Sequence, residues 1–162
     1  MEIAKVYRRI QHDFANQLQL LEAYKQLGMT DKVNLQIDRM LFNIRLEQQF
    51  LKLNVPILIG HYLNIKLNDR LFDWTFDIDI QTSAIDLLDQ TMTNDFLNVV
   101  NQYKNCVVDK SEIELCLYEN ETAIEMRMVL TGEDIKKNLK MDISDEGDDF
   151  ISIHYHYLKE VF

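Results

Sequence analysis

One proline and four glycines in 162 residues leave little room for long loops, linkers or disorder. The same shortage of glycine argues against a phosphate-cradling loop anywhere in the chain. Cysteine is nearly absent too. Cys106 and Cys116 show no metal-ligand spacing and no secretion signal precedes them, so they read as reduced, buried thiols. Basic residues are the minority, 17 against 27 acidic, for a formal charge of −10. That disfavours nucleic acid as a partner, because binding phosphate needs a basic surface. No apolar run is long enough to span a bilayer, and MEIAKVYRR has no apolar signal core. The expectation is a soluble, cytoplasmic protein without a membrane partner.

What the chain does have is apolar content, 47%, enough for one ordinary domain or two small units sharing a core. Apolar residues recur every three or four positions over residues 2–27 and again over 31–53, which predicts two long helices. Gly28 suits the terminator of the first, and Thr30 or Asp31 the cap of the second. So short a link predicts an antiparallel hairpin. The second helix carries two apolar faces. Val33, Ile37, Met40, Ile44 and Leu51 form one; Leu35, Phe42, Leu46, Phe50 and Leu53 form the other. Two helices cannot cover both faces alone. A monomeric bundle is one solution; a homodimer, whose paired hairpins make a four-helix bundle, is the one favoured here.

Asn54-Val55-Pro56 breaks the second helix, and Pro56 suits the first position of a shorter helix over residues 56–68. From Phe72 the segment 71–80 alternates apolar and polar residues, the pattern of a half-buried strand. Ser83 can cap a third long helix reaching 104. A strand hairpin is expected from 113–118 and 123–130, then a polar, acidic stretch over 131–149 with one helical turn, then a last strand over 150–158. There is no internal repeat. The predicted class is α+β: a helical hairpin over residues 1–54, then a small α/β sandwich with an antiparallel sheet over 55–162.

The chemistry centres on Gln11-His12-Asp13-Phe14-Ala15-Asn16-Gln17-Leu18-Gln19. On a helix, Ile3, Tyr7, Ile10, Phe14, Leu18 and Leu21 line one apolar stripe, and His12 falls almost opposite its middle. Lys5, Arg8, Asn16 and Gln19 share the histidine's face. An exposed helical histidine is most often a plain surface residue. The sharper reading is a phosphoryl acceptor, because neutral imidazole is a nucleophile and a phosphoryl group needs open, in-line access. Asp13 would orient the ring, and Lys5, Arg8 and Arg9 would stabilise charge on a transferred phosphoryl group.

His12-Asp13, Asn16-Gln17-Leu18-Gln19, the helix end from Tyr24 to Gly28 and Asp31-Lys32 resemble the phosphorylation box of the sporulation initiation phosphotransferase B family. The resemblance continues through Leu53-Asn54-Val55-Pro56 and the strand at 71–80, and more weakly over the whole chain. It implies a homodimer whose hairpins form a four-helix bundle, each chain carrying a second domain that resembles a degenerate histidine-kinase ATPase domain. It further implies a phosphorelay phosphotransferase that passes a phosphoryl group between response-regulator aspartates through His12, without ATP. Asp13 and Asn16 would assist, and Lys5, Arg8, Arg9 and Gln19 would dock the receiver domain. No cofactor belongs to the chain itself, since Mg²⁺ comes with the receiver domain. Gln11 stands where the family usually has arginine.

Loss of ATP binding has separate support in the sequence. Asn94, Asn98 and Asn101 do not match the spacing of a nucleotide-binding asparagine box, and Leu130 stands where an adenine-binding aspartate is expected. His154 and His156 alternate on the last strand and face one side, but no third metal ligand is visible at a sensible spacing, so two solvent-facing histidines are expected there, with Tyr155 and Tyr157 turned inward. Residues 142–149 are acidic, yet the twelfth position from Asp142 is Ile153 rather than a bidentate glutamate, so a solvated loop is the better reading than a calcium site. The competing functional reading is a dimeric scaffold that sequesters a response regulator or kinase without chemistry. Such a scaffold would tolerate loss of His12.

Overall fold

The computed structural model describes residues 3–161 and divides into two compact units, residues 1–45 and 46–162. The first unit begins with α1 (Ile3–Gln26), followed after a tight turn by α2 (Thr30–Leu51). The expected first helical residue, Glu2, lies outside the described residues. Gly28 adopts φ +68°, the left-handed conformation that costs an L-residue with a Cβ. Around it the Met29 N–H donates to the Tyr24 carbonyl (2.9 Å) and the Gly28 N–H to the Lys25 carbonyl (3.1 Å). This paired arrangement satisfies carbonyls that the helix end would otherwise leave open.

The start of α2 differs from the sequence expectation. The Val33 N–H donates to the Met29 carbonyl, so the helix is already closed at Thr30, and Thr30 and Asp31 sit inside its first turn. Asp31 there complements the positive end of the helix. The helix ends at Leu51, two residues before the expected stop. Gln36 Nε2 donates to Gln17 Oε1 across the hairpin (2.7 Å), and Lys32 Nζ lies 5.6 Å from the Tyr24 ring centroid. The half-buried positions Val6, Arg9, Leu21 and Tyr24 of α1, and Val33, Gln36 and Met40 of α2, recur at helical spacing. None of the residues of α1 is fully buried.

The second unit takes in the last turn of α2, then α3 (Pro56–Asn68), β1 (Phe72–Asp79), a 3-10 turn (Ser83–Leu88), α4 (Asp89–Lys104), β2 (Ser111–Glu119), β3 (Ala123–Thr131), β4 (Asp145–Glu146), β5 (Phe150–Leu158) and a closing 3-10 turn (Lys159–Val161). The five strands form one sheet in the order β1-β2-β3-β5-β4. It is mixed, not antiparallel as the sequence suggested: β1 pairs parallel with β2, from Phe72 opposite Ser111 to Asp79 opposite Tyr118. Parallel neighbours need a crossover, and α4 supplies it. Met92, Phe96, Val99, Val100 and Tyr103 of α4 are buried with Ile113, Leu115, Met126, Met128 and Ile151 of the sheet. Tyr103 donates its hydroxyl to the Met128 carbonyl (2.6 Å), satisfying a buried polar group.

Two further expectations change. The long helix expected from Ser83 is a 3-10 turn capped by Thr82 Oγ1, which accepts from the Ala84 N–H (3.2 Å), and the α-helix starts only at Asp89. The Asp89 carboxylate accepts from the Ile57 (2.8 Å) and Leu58 (2.9 Å) N–H groups and so caps α3, 31–32 residues away in sequence. Over 131–149 no helical turn forms. Ile135, Leu139, Met141 and Ile143 lie half-buried against the core, and β4 adds a short edge strand.

Candidate functional site

His12 lies at the middle of α1, one residue after the turn that carries Arg8 and Arg9. Its side chain is 67% exposed and that of Asp13 60%. Both described contacts of the ring are made at Nδ1: Asp13 Oδ1 at 3.4 Å and Asn16 Nδ2 at 3.3 Å. Nε2 has no described protein contact. The two neighbours favour different tautomers. A proton on Nδ1 is donated to the Asp13 carboxylate and leaves the lone pair on Nε2; an unprotonated Nδ1 accepts from the Asn16 amide and puts the proton on Nε2. A bond to a carboxylate is the stronger of the two, so the pair tips the ring toward a nucleophilic Nε2. At 3.4 Å and this exposure the bias is small, well below ~1 kcal/mol.

Of the other residues singled out by sequence, Lys5, Arg8 and Gln19 are exposed on α1 and share the histidine's face by spacing. Arg9 is half-buried and already engaged in an interaction. None of these four touches His12 among the described contacts. Gln11 donates to the Tyr7 hydroxyl (2.9 Å). Charge is unevenly spread along the chain: residues 1–53 carry eight basic and six acidic side chains, residues 54–162 nine and twenty-one. The acidic excess therefore belongs wholly to the later part, and His12 sits in a segment of slight positive charge.

In the second unit, Leu130 is fully buried in β3, and a polar cleft lined by Asp73, Lys110, Ser111, Glu112, Thr131 and Glu133 contains none of the predicted site residues. The acidic stretch 142–149 is mostly solvent-facing, with Glu146 paired to Lys137 (3.4 Å). His61 is exposed on α3. On β5, Tyr157 is buried and its hydroxyl donates to Asp95 Oδ2 (2.7 Å), while Tyr155 is half-buried. Sequence reasoning missed the neighbour of His154 and His156: Glu125 of β3 lies directly opposite His156 in the sheet register. The signal was present only in the alternation of the two strands, and reading it needed their pairing.

Residues 1–53 match the family model described as sensor kinase SpoOB-type, alpha-helical domain. No curated relative matches the sequence. Among solved structures, the catalytic domain of histidine kinase ThkA in a nucleotide-free form is similar over 64% of this chain and 92% of that chain, at 12% identity and a TM-score of 0.47. Histidine kinase ThkA in complex with response regulator protein TrrA is similar over 94% of this chain and 60% of that chain, at 9% identity and a TM-score of 0.39. Among the described residues, no helix is long and apolar enough to cross a membrane.

Proposed function

We propose that the protein is a phosphorelay histidine phosphotransferase that acts as a homodimer and passes a phosphoryl group between the aspartates of response regulators through His12, without ATP. The observation that carries this reading is the setting of His12: exposed at mid-helix, with both described ring contacts, to Asp13 and to Asn16, made at Nδ1 and none at Nε2. The match of residues 1–53 to a SpoOB-type helical domain supports the same role. In functional terms, residues 1–54 are the phosphoacceptor and dimerisation hairpin, and residues 55–162 a domain related to a histidine-kinase ATPase domain that has lost its nucleotide-binding loops.

In the reaction, the lone pair of His12 Nε2 attacks the phosphorus of an aspartyl phosphate, and the P–O bond to the aspartate breaks as its carboxylate leaves. The phosphohistidine is then attacked in turn by a carboxylate oxygen of the second regulator, and the electron pair returns to Nε2. Mid-helix placement gives the in-line approach that this displacement needs. Lys5, Arg8 and Arg9 lend positive potential where the acidic pocket of a receiver domain, carrying its own Mg²⁺, would approach. Gln19 extends that docking face by about two turns beyond the histidine.

The test is transfer of labelled phosphoryl from a panel of phosphorylated response regulators to the full chain and to His12→Gln. Acid-labile, base-stable label on the wild type and none on His12→Gln is the expected result. Absence of label with every donor, with regulator binding equal in both proteins, would instead favour the scaffold.

A further inference from the structure

The open face of the second unit's sheet carries a group of side chains that phosphotransfer does not use. His154 and His156 alternate along β5, so both project to the same face, and their ring centroids stand 4.4 Å apart. Glu125 on the neighbouring β3 is in register with His156. Its two carboxylate oxygens face one imidazole nitrogen each: Oε2 lies 3.1 Å from His154 Nε2, and Oε1 3.5 Å from His156 Nδ1. One ligand atom from each of the three residues falls within 4.8 Å of the others.

We propose that Glu125, His154 and His156 form a binding site for a late first-row transition-metal dication, with Zn²⁺ as its probe. Geometry is the first argument. Ligands about 2.0–2.1 Å from a tetrahedral zinc stand about 3.3 Å from one another; each imidazole nitrogen lies near that distance from one of the two carboxylate oxygens, 3.1 Å from Oε2 and 3.5 Å from Oε1, and a set spanning up to 4.8 Å closes on an ion by side-chain rotation. Ligand type is the second. Two imidazoles and one carboxylate are neither the all-oxygen set of Mg²⁺ and Ca²⁺ nor a thiolate set; they suit Zn²⁺, Co²⁺, Ni²⁺ and Cu²⁺.

Preorganisation is the third argument. The ligands come from two hydrogen-bonded strands of a five-stranded sheet, and the Asn120 amide donates to Glu125 Oε1 (3.1 Å), orienting the carboxylate from behind. Access is the fourth. His156 is 57% exposed and the other two side chains about a quarter, so an ion can enter and a water or a partner's side chain can take the remaining position. Arg127 is opposite His154 in the register but directs Nη2 at Cys116 Sγ, 3.9 Å away on β2. A bound ion would clip β3 to β5 on the face that α4 leaves uncovered.

The same contacts could also be hydrogen bonds from two imidazole N–H groups to one carboxylate, and the experiment separates the two cases. The full chain, stripped with a chelator, is titrated with Zn²⁺ by calorimetry and by heteronuclear NMR of the histidine rings, assigned through ring-to-backbone correlations. With only four histidines in the chain, the spectrum is simple. The expected result is one equivalent of Zn²⁺ per chain, with the ring signals of His154 and His156 shifting and those of His12 and His61 still. Glu125→Gln and His156→Gln should each weaken binding by no less than the ~10–100-fold typical of losing an outer partner. No stoichiometric binding, shifts at His12 or His61 instead, or binding retained in both variants would overturn the proposal. Should a variant fail to fold, the ring shifts of the wild type decide alone.

Discussion

Glu119, at the end of β2, gathers three donors: Lys159 Nζ (2.8 Å), the Gln81 N–H (2.7 Å) and the Thr82 N–H (2.9 Å). The lysine contact first, then the backbone donors, lowers its carboxyl from an ordinary 4.5 to about 2. A carboxyl that is more acidic in the folded state stabilises the fold above its ordinary value, and that contribution disappears as pH falls from about 4.5 toward 2. Glu119→Gln should therefore be less stable than wild type near about pH 6, with the gap closing toward about pH 3. Urea unfolding at the two pH values checks it; a gap that stays constant would mean the charge is not responsible. This contact, like the Glu125 contacts, lay beyond reach of the sequence, because both depend on which strand ends meet. His12 was different. Counting 100° steps along one helix places Asn16 one turn on, beside the ring, and Asp13 is its next residue.

At the scale of elements, Asp89 shows what local pattern reading overlooks. Its position just ahead of an apolar-periodic run marks a helix start, but its carboxylate serves a different helix, accepting from two N–H groups at the start of α3. Asp89→Ala should remove that cap and leave buried donors open, costing about 2 kcal/mol. Asp89→Asn, which keeps one acceptor oxygen, should cost clearly less. Denaturant midpoints of the two variants provide the check, and equal losses would mean packing, not capping, is at stake. Strand positions were legible to within about two residues because alternation is a local signal. Whether β1 ran parallel or antiparallel to β2 was not, since direction is set by the α4 crossover and by which face of that helix is covered. Leu139, Met141 and Ile143 alternate as on a strand, yet with Ile135 they lie half-buried against the core outside any regular element.

At the scale of the whole molecule, the large exposed apolar side chains concentrate on the hairpin. The stripe read from the sequence is exposed up to its half-buried last member, Leu21: Ile3 84%, Tyr7 58%, Ile10 50%, Phe14 57% and Leu18 48%, with Ile37, Leu41 and Ile44 of α2 also open. With no buried position on α1, these side chains leave an apolar stripe open along the helix, the kind of surface that marks association. A second hairpin is the simplest cover, because four such helices close a bundle core while His12, on the opposite side of α1, stays outside it. Light scattering behind size exclusion should give twice the 19.3 kDa chain mass. The double substitution Ile10→Asp with Phe14→Asp should give monomer, and should remove the rise of unfolding temperature with protein concentration that a dimer requires. Trp74, the only tryptophan, packs in the second unit against Tyr62 and Phe96, so an unchanged fluorescence spectrum would show that unit intact. A monomeric wild type would remove the dimer from the proposal while leaving the chemistry of His12 to be judged by transfer alone.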